Sequence, residues 1–466
     1  MSKISNSALN LFVSKVLSSI ISFAGVTFFA RELGAVQMGI FFLFQSILGI
    51  LTIPADLGLR VALEKKLSEG QQLPPLLSSF LTLKLLLLVA VSLTILLLQG
   101  IVNEYIGSNV AILLVIALVL QEVAFSFEKV LFGELRAKDT AILRPIRQLT
   151  WVSIGTAVIL VGTRRAYAPI VGFVFGYFAM SIVAIYRSSV TIAMPTVRHT
   201  KELIGYAKHD FVSFIGWRLF NWTDIAIIGL LLGQKATGAY GIAWQISEIV
   251  MLLGYSIANT LFPKISSLSQ NDEWKEIEQL VTDSISPSFV LVIPSIFGAF
   301  LLSSPLLSIL FGSSYSSASI ALIILFIGKI PQVIYILLAD SLRGVGKQRL
   351  SARSTIISGL SNIGLNILLI HLYQIEGAAV ATSLSFTLNS ILHIYYLDIP
   401  VTVPFTEILW YIISSAVMFI CIFIILSIVQ ISGIYSLLAV IFTGAAIYFV
   451  TLLAKEQTRK EILDLV

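Results

Sequence analysis

The chain has 466 residues, of which 57% are hydrophobic and 12% charged, against roughly 45–50% and 25% for a soluble domain, so a water-soluble fold is excluded. The formal charge of +5 does not argue for nucleic acid, because the basic residues sit between apolar runs, where a membrane protein places them. A single cysteine, Cys421, and four scattered histidines, His199, His209, His371 and His393, exclude an intrachain disulfide and offer no metal-ligand spacing.

Apolar stretches of about 20 residues, long enough to cross a bilayer, fall at 8–30, 36–57, 75–99, 109–134, 146–162, 168–186, 209–231, 238–261, 285–306, 319–342, 354–373, 376–397, 405–429 and 432–454. These fourteen predict an all-α, multi-pass membrane protein. With a cytoplasmic N-terminus, the inner segments hold most of the lysines and arginines, while the outer loops keep only Arg31, Arg164, Arg165 and Lys235. By the positive-inside rule that bias puts both termini in the cytoplasm.

The first stretch carries Lys15 beside Ser14, Ser18 and Ser22, a polar stripe recurring every fourth residue. It is longer than a signal h-region and shows no convincing small-residue cleavage site before Arg31, so it reads as a retained helix. Lys84 lies near the centre of the third stretch and Glu122 near that of the fourth, where Glu122 and Lys129, seven apart, share a face. A mutual or interhelical ion pair and a functional role are both open for them. The seventh stretch holds Arg218 and Asp224, six apart and on different faces, and the eighth holds Glu248. In segment 265–284, Trp274, Ile277, Leu280 and Val281 fall on one face opposite Asp272, Glu273 and Lys275, the pattern of a helix lying on the membrane surface. Pro287 and Pro294 interrupt the ninth stretch and Pro331 the tenth, next to Lys329, a candidate bending point.

A charged side chain at mid-membrane costs roughly 2.5–3.5 kcal/mol, so such residues persist facing a cavity or a partner. Lys15, Lys84, Arg218 and Lys329 together predict a cleft that receives an anion, since ammonium and guanidinium groups suit phosphate oxygens. Glu122, Asp224 and Glu248 would neutralise part of that charge.

Sliding the chain along itself by about 200 residues brings landmarks into register. Gly34 and Gly39 fall on Gly233 and Gly238, Lys65 on Lys264, Gly107 on Gly312, Leu135-Arg136-Ala137 on Leu342-Arg343-Gly344, and Gly172 on Gly377. Residues 1–200 therefore predict one six-helix bundle, 201–400 its parallel repeat across a central cleft, and 401–466 two additional helices and a tail.

Fourteen spans in this pattern, the Phe29-Ala-Arg-Glu-Leu-Gly34 segment with Gly39, its echo from Asp224 to Gly233 with Gly238-Ala-Tyr240, and the Leu342-Arg343-Gly344 stretch resemble the polysaccharide-biosynthesis flippases. These belong to the multidrug/oligosaccharidyl-lipid/polysaccharide exporter superfamily. The resemblance implies a cell-membrane transporter, not an enzyme, moving a polyprenyl-diphosphate-linked oligosaccharide from the cytoplasmic to the outer leaflet by alternating access. It implies no cofactor or metal, and a downstream polysaccharide polymerase as partner. On this reading Lys15, Lys84, Arg218 and Lys329 are candidates for the diphosphate, and Glu122, Asp224 and Glu248 for a coupling proton or sodium ion. The last two spans would supply a groove for the lipid tail. Rival readings are a peptidoglycan-precursor flippase, a multidrug exporter, and a membrane glycosyltransferase or polymerase. The last lacks the clustered carboxylates or phosphate-binding glycine loop its chemistry needs.

Overall fold

The computed structural model describes residues 3–163, 165–400 and 402–455, with side chains at all of these except 3–9 and 209–221. Among them every regular element is a helix. The chain forms two compact units, Met1–Gly238 and Ala239–Val466.

The first unit contains α1 (Lys3–Asp56), α2 (Leu59–Ser68), α3 (Leu73–Leu97), α4 (Gln99–Ile106), α5 (Ala111–Gly133), α6 (Ala137–Thr140), α7 (Leu143–Leu160), α8 (Tyr167–Arg187) and α9 (Val197–Leu232). Prolines 74 and 75 open α3, where the missing amide hydrogens cost nothing. Along α3, Lys84, Leu88, Val91 and Ile95 are buried while Leu85, Leu86, Val89 and Leu93 are exposed. A helix apolar on both faces needs lipid on the outer one. Leu63, Leu77, Phe80, Val130, Met180 and Leu203 form the core where α2, α3, α5, α8 and α9 meet. Because α9 packs on α1, α2 and α3, the compact unit extends past residue 200, where the sequence repeat restarts.

The second unit takes in most of α10 (Gln234–Ile249), then α11 (Leu252–Gln270), α12 (Trp274–Ser288), α13 (Val292–Leu310), a 3-10 turn at Ser313–Ala318, α14 (Ser319–Gly344), α15 (Gln348–Leu397), α16 (Phe405–Ile428) and α17 (Ile434–Leu453). The apolar face of α12 is covered by protein: Ile277 and Val281 are fully buried with Ile265, Val333 and Leu342. The expected surface helix is therefore a packed one, and Trp274 alone of its named apolar residues stays exposed. Helices α16 and α17 are docked rather than appended. Tyr448 Oη donates to the Val290 carbonyl at 2.9 Å, and the Tyr411 and Ser286 hydroxyls are 2.9 Å apart.

Among the described residues nine helices are long and apolar enough to cross a membrane, or ten if α10 and α11, bent by 55° at their junction, form one broken span. Two of the nine are 47 and 50 residues long and are broken at Gly34 and Gln374. Each supplies two of the stretches read from the sequence. Helix α7 carries Arg144, Arg147 and Gln148 in its first two turns, and α9 contributes a shorter apolar piece, Trp222–Leu232.

The repeat is visible in backbone conformation. Gly34 (φ 74, ψ 174) and Gly233 (φ 80, ψ −173) break the chain identically, in a region open almost only to glycine. Farther along, the register differs from the sequence match. Arg136 N–H reaches the Leu131 carbonyl at 2.9 Å, and Lys347 N–H the Leu342 carbonyl at 2.8 Å. Gly133 and Gly344 end their helices at these equivalent turns. Leu135-Arg136 thus corresponds to Gly346-Lys347, about one helical turn beyond Leu342-Arg343.

Candidate functional site

Four buried charges meet in the first unit. Asp56 closes α1, Arg60 lies on α2, Lys84 on α3 and Glu122 on α5, and none is more than 6% exposed. Lys84 Nζ lies 2.6 Å from Glu122 Oε2 and also contacts Asp56 Oδ1. Arg60 Nε is 2.9 Å from Asp56 Oδ1, and its Nη2 is 3.7 Å from Glu122 Oε1. Two acids and two bases make the group charge-balanced, which is how ions survive in a low-dielectric interior.

In the second unit, Lys329 on α14 is 1% exposed, with Nζ 2.5 Å from Glu248 Oε1 and 2.8 Å from Gln332 Oε1. Its ammonium lies 4.2 Å from the Trp244 ring centroid, within cation–π range. Gln332 and Tyr255 donate to the same Glu248 carboxylate at 3.1 and 3.3 Å. Glu248 stands at the end of α10, where the chain bends into α11. A carboxylate at a break in a spanning helix is a recurrent site in transporters. Pro331, two residues after Lys329 in α14, has its carbonyl capped by the Ser390 hydroxyl at 2.6 Å.

The other predicted residues are dispersed. Lys15 is half-buried on α1, whose Ser14 hydroxyl donates to the Ala141 carbonyl. Asp224 is buried on α9, and the side chain of Arg218 lies outside the described residues. Glu122 and Lys129 share a face without pairing, for Lys129 Nζ binds Glu64 Oε2 at 2.5 Å. Seven residues rise about 10 Å along a helix, too far for a direct contact.

One functional candidate lies at the edge of the fifth apolar stretch, where the sequence offers it only as one of the basic residues of the inner segments. Arg147, in the second turn of α7, borders a cavity of about 280 Å³ with Gln45, Gln121, Phe173, Tyr177 and Trp222. Its Nη1 donates to Tyr177 Oη at 2.9 Å, and its guanidinium lies 5.1 Å from the Tyr177 ring centroid. Its Nε is buried without a hydrogen-bond acceptor among the described residues. The sequence signal was present in its spacing from Arg144, which puts the two arginines on neighbouring turns of α7.

These arrangements define a class: a polytopic helical membrane transporter with buried charge networks in both units. The model of the polysaccharide biosynthesis protein family matches residues 9–320, and the chain belongs to that family, as a flippase-type transporter and not an enzyme. The probable low-salt glycan biosynthesis flippase Agl15 of Haloferax volcanii is 39% identical over 99% of this chain and 99% of its own. The probable flippase AglR of the same organism is 26% identical over 99% and 98%. Among solved structures, lipid II flippase MurJ in an inward closed conformation is similar at TM-score 0.80 and 17% identity, covering 95% of this chain and 97% of its own. An inward-facing multidrug resistance transporter of the MATE family follows the same fold at TM-score 0.64 and 12% identity, covering 81% and 93%.

Proposed function

We propose that the chain carries an oligosaccharide on a polyprenyl diphosphate from the cytoplasmic to the outer leaflet of the cell membrane, with both termini cytoplasmic. The supporting observation is the end-to-end similarity to a relative named as a probable glycan biosynthesis flippase, 39% identical over 99% of both chains. Lys15, Lys84, Arg218 and Lys329 are the proposed diphosphate contacts. Lys84 and Lys329 are held by carboxylates at 2.6 and 2.5 Å, so each engages phosphate by exchanging one anion for another. That exchange supplies a coupling rule. A proton or sodium ion taken up at Glu122 or Glu248 weakens the carboxylate's hold and frees the ammonium for the diphosphate. Asp224 is the third candidate for such an ion.

The test is reconstitution into liposomes with a fluorescent polyprenyl-diphosphate sugar, following loss of the label's protection. Wild-type protein is expected to translocate it and Lys329→Ala to fail, while Glu248→Gln loses its dependence on an imposed ion gradient. A wild-type protein that leaves the label where it started refutes the proposal. Export of cationic drugs instead marks a drug transporter, and longer glycans on addition of sugar nucleotide mark an enzyme.

A further inference from the structure

The cations of the first unit differ in how they are compensated. Lys84 and Arg60 share Asp56 and Glu122 within a balanced group. Among the described residues Arg147 has no carboxylate within ion-pair distance and its buried Nε has no hydrogen-bond acceptor. Buried polar groups are almost always satisfied. A guanidinium that lines a cavity with no carboxylate partner can offer its terminal N–H groups to two oxygens of a phosphate group.

The side chain is held in place for this. Tyr177, which accepts the Nη1 hydrogen bond, is 4% exposed and locked by edge-to-face contacts with Phe173 and Phe125 at 5.0 and 5.7 Å. At Gly176 the backbone of α8 comes against the Arg147 carbonyl and side-chain stem, where a larger residue would collide. Gln45 and Gln121 add amide donors to the wall. The volume, about 280 Å³, sits at the lower edge of the roughly 300–1,000 Å³ typical of small-molecule sites. It suits a charged head and leaves no room for an oligosaccharide.

We propose that this cavity is an oxyanion site for a phosphate or diphosphate group, with Arg147 as its binding residue and Tyr177 as the group that positions it. The assignment of that oxyanion to a polyprenyl-linked head rests on the proposed function. The glycan then stays outside the cavity while its phosphate is held within it.

The full-length protein in detergent is titrated with a short polyprenyl diphosphate, with the matching polyprenol and with inorganic diphosphate, reading the melting temperature and tryptophan emission, to which Trp222 in the wall contributes. The polyprenyl diphosphate is expected to raise the melting temperature and the polyprenol to leave it unchanged. Arg147→Gln is expected to weaken binding roughly tenfold or more, the loss typical of a charge-assisted hydrogen bond. Tyr177→Phe, which removes only the positioning hydroxyl, should weaken binding less and be partly masked in the titration by higher ligand. Arg147→Gln binding within about threefold of wild type overturns the site; if that variant does not fold, unchanged binding by Tyr177→Phe does so. Inorganic diphosphate binding as tightly as the lipid overturns the lipid-head assignment in favour of a free anion. Translocation is scored separately. A protein that flips no lipid-linked sugar yet loses diphosphate binding in Arg147→Gln sinks the proposed function and keeps the site, whereas an Arg147→Gln protein that both flips normally and binds diphosphate as wild type does sinks the site and keeps the proposed function.

Discussion

Gly39 and Gly238 make the same contact in opposite senses. A Cβ on Gly39 would overlap the Gln234 carbonyl, and a Cβ on Gly238 would overlap the Ala35 carbonyl. Since 35 and 39 are separated from 234 and 238 by one constant offset, the two contacts exchange under the repeat. Only a local twofold relation between the two helix starts that follow Gly34 and Gly233 produces such reciprocity.

Alanine at either glycine therefore meets backbone, which cannot rotate away. Gly39→Ala and Gly238→Ala should each destabilise by about 1–3 kcal/mol or more, read as a fall in melting temperature in detergent. The double variant should cost less than the two single losses combined, because the first alanine already separates the pair. Additive losses would show that the two contacts are independent and the local symmetry accidental.

How much of this was legible in the sequence depended on whether the signal was local. The apolar stretches, Gly34, Gly39 and their echoes could be read because a backbone break and a close approach each demand glycine at a fixed place. The Leu135-Arg136 match slipped because identical letters were paired, whereas the helix ends are fixed by hydrogen bonding to Leu131 and Leu342. Buried charges were found by their cost, but their partners were not. Lys84 meets residues of α1 and α5, and Lys329 one of α10, and such pairings depend on tertiary packing. Arg147 sits at the edge of the fifth apolar stretch, 146–162, where a charge reads as a boundary residue, and only the packing of α7 on α8 sets it beside Tyr177.

The equivalence of Leu135 and Gly346 predicts an improvement. Leu135 is a non-glycine residue at φ 60 where the second copy has Gly346 at φ 78. Left-handed backbone costs an L-residue about 1–2 kcal/mol, while glycine loses roughly 0.5–1 kcal/mol through unfolded-state entropy. Leu135→Gly should raise stability by up to about 1 kcal/mol, and Gly346→Ala should lower it by a similar amount. A drop in melting temperature for Leu135→Gly would mean that the exposed leucine contributes more through its surroundings than its backbone costs.

The pair at the α10–α11 bend should respond asymmetrically. The Lys329 side chain is 1% exposed and that of Glu248 28%. Glu248→Gln strands a buried ammonium, for which the loss on breaking a buried pair is about 3–5 kcal/mol. Lys329→Met leaves a partly hydrated carboxylate that still accepts from Gln332 and Tyr255, and the loss should be nearer 1–2 kcal/mol. Melting temperatures of the two variants, compared in one detergent, decide it. Equal losses would place Glu248 in a drier setting than its exposure indicates.

Charge balance, more than any single bond, should govern the Asp56, Arg60, Lys84 and Glu122 group. Lys84→Met leaves one guanidinium for two buried carboxylates, and Glu122→Gln leaves two cations for Asp56. Each should destabilise by about 3–5 kcal/mol. Combining them restores neutrality, because Arg60 still binds Asp56 at 2.9 Å, so the double variant should be more stable than either single one, with a coupling of roughly 2–3 kcal/mol. If the coupling instead vanishes, water must be screening these groups despite their burial, and Lys84 would be free to take an anion without first giving up its carboxylates. The stability coupling separates the two cases, and translocation assays on the same three proteins add what Lys84 does in transport. With water screening, the double variant should fail to carry the lipid just as Lys84→Met does, although both are folded. With a dry, balanced cluster, the rescue of stability leaves a protein whose remaining defect measures what the Lys84 ammonium contributes to transport.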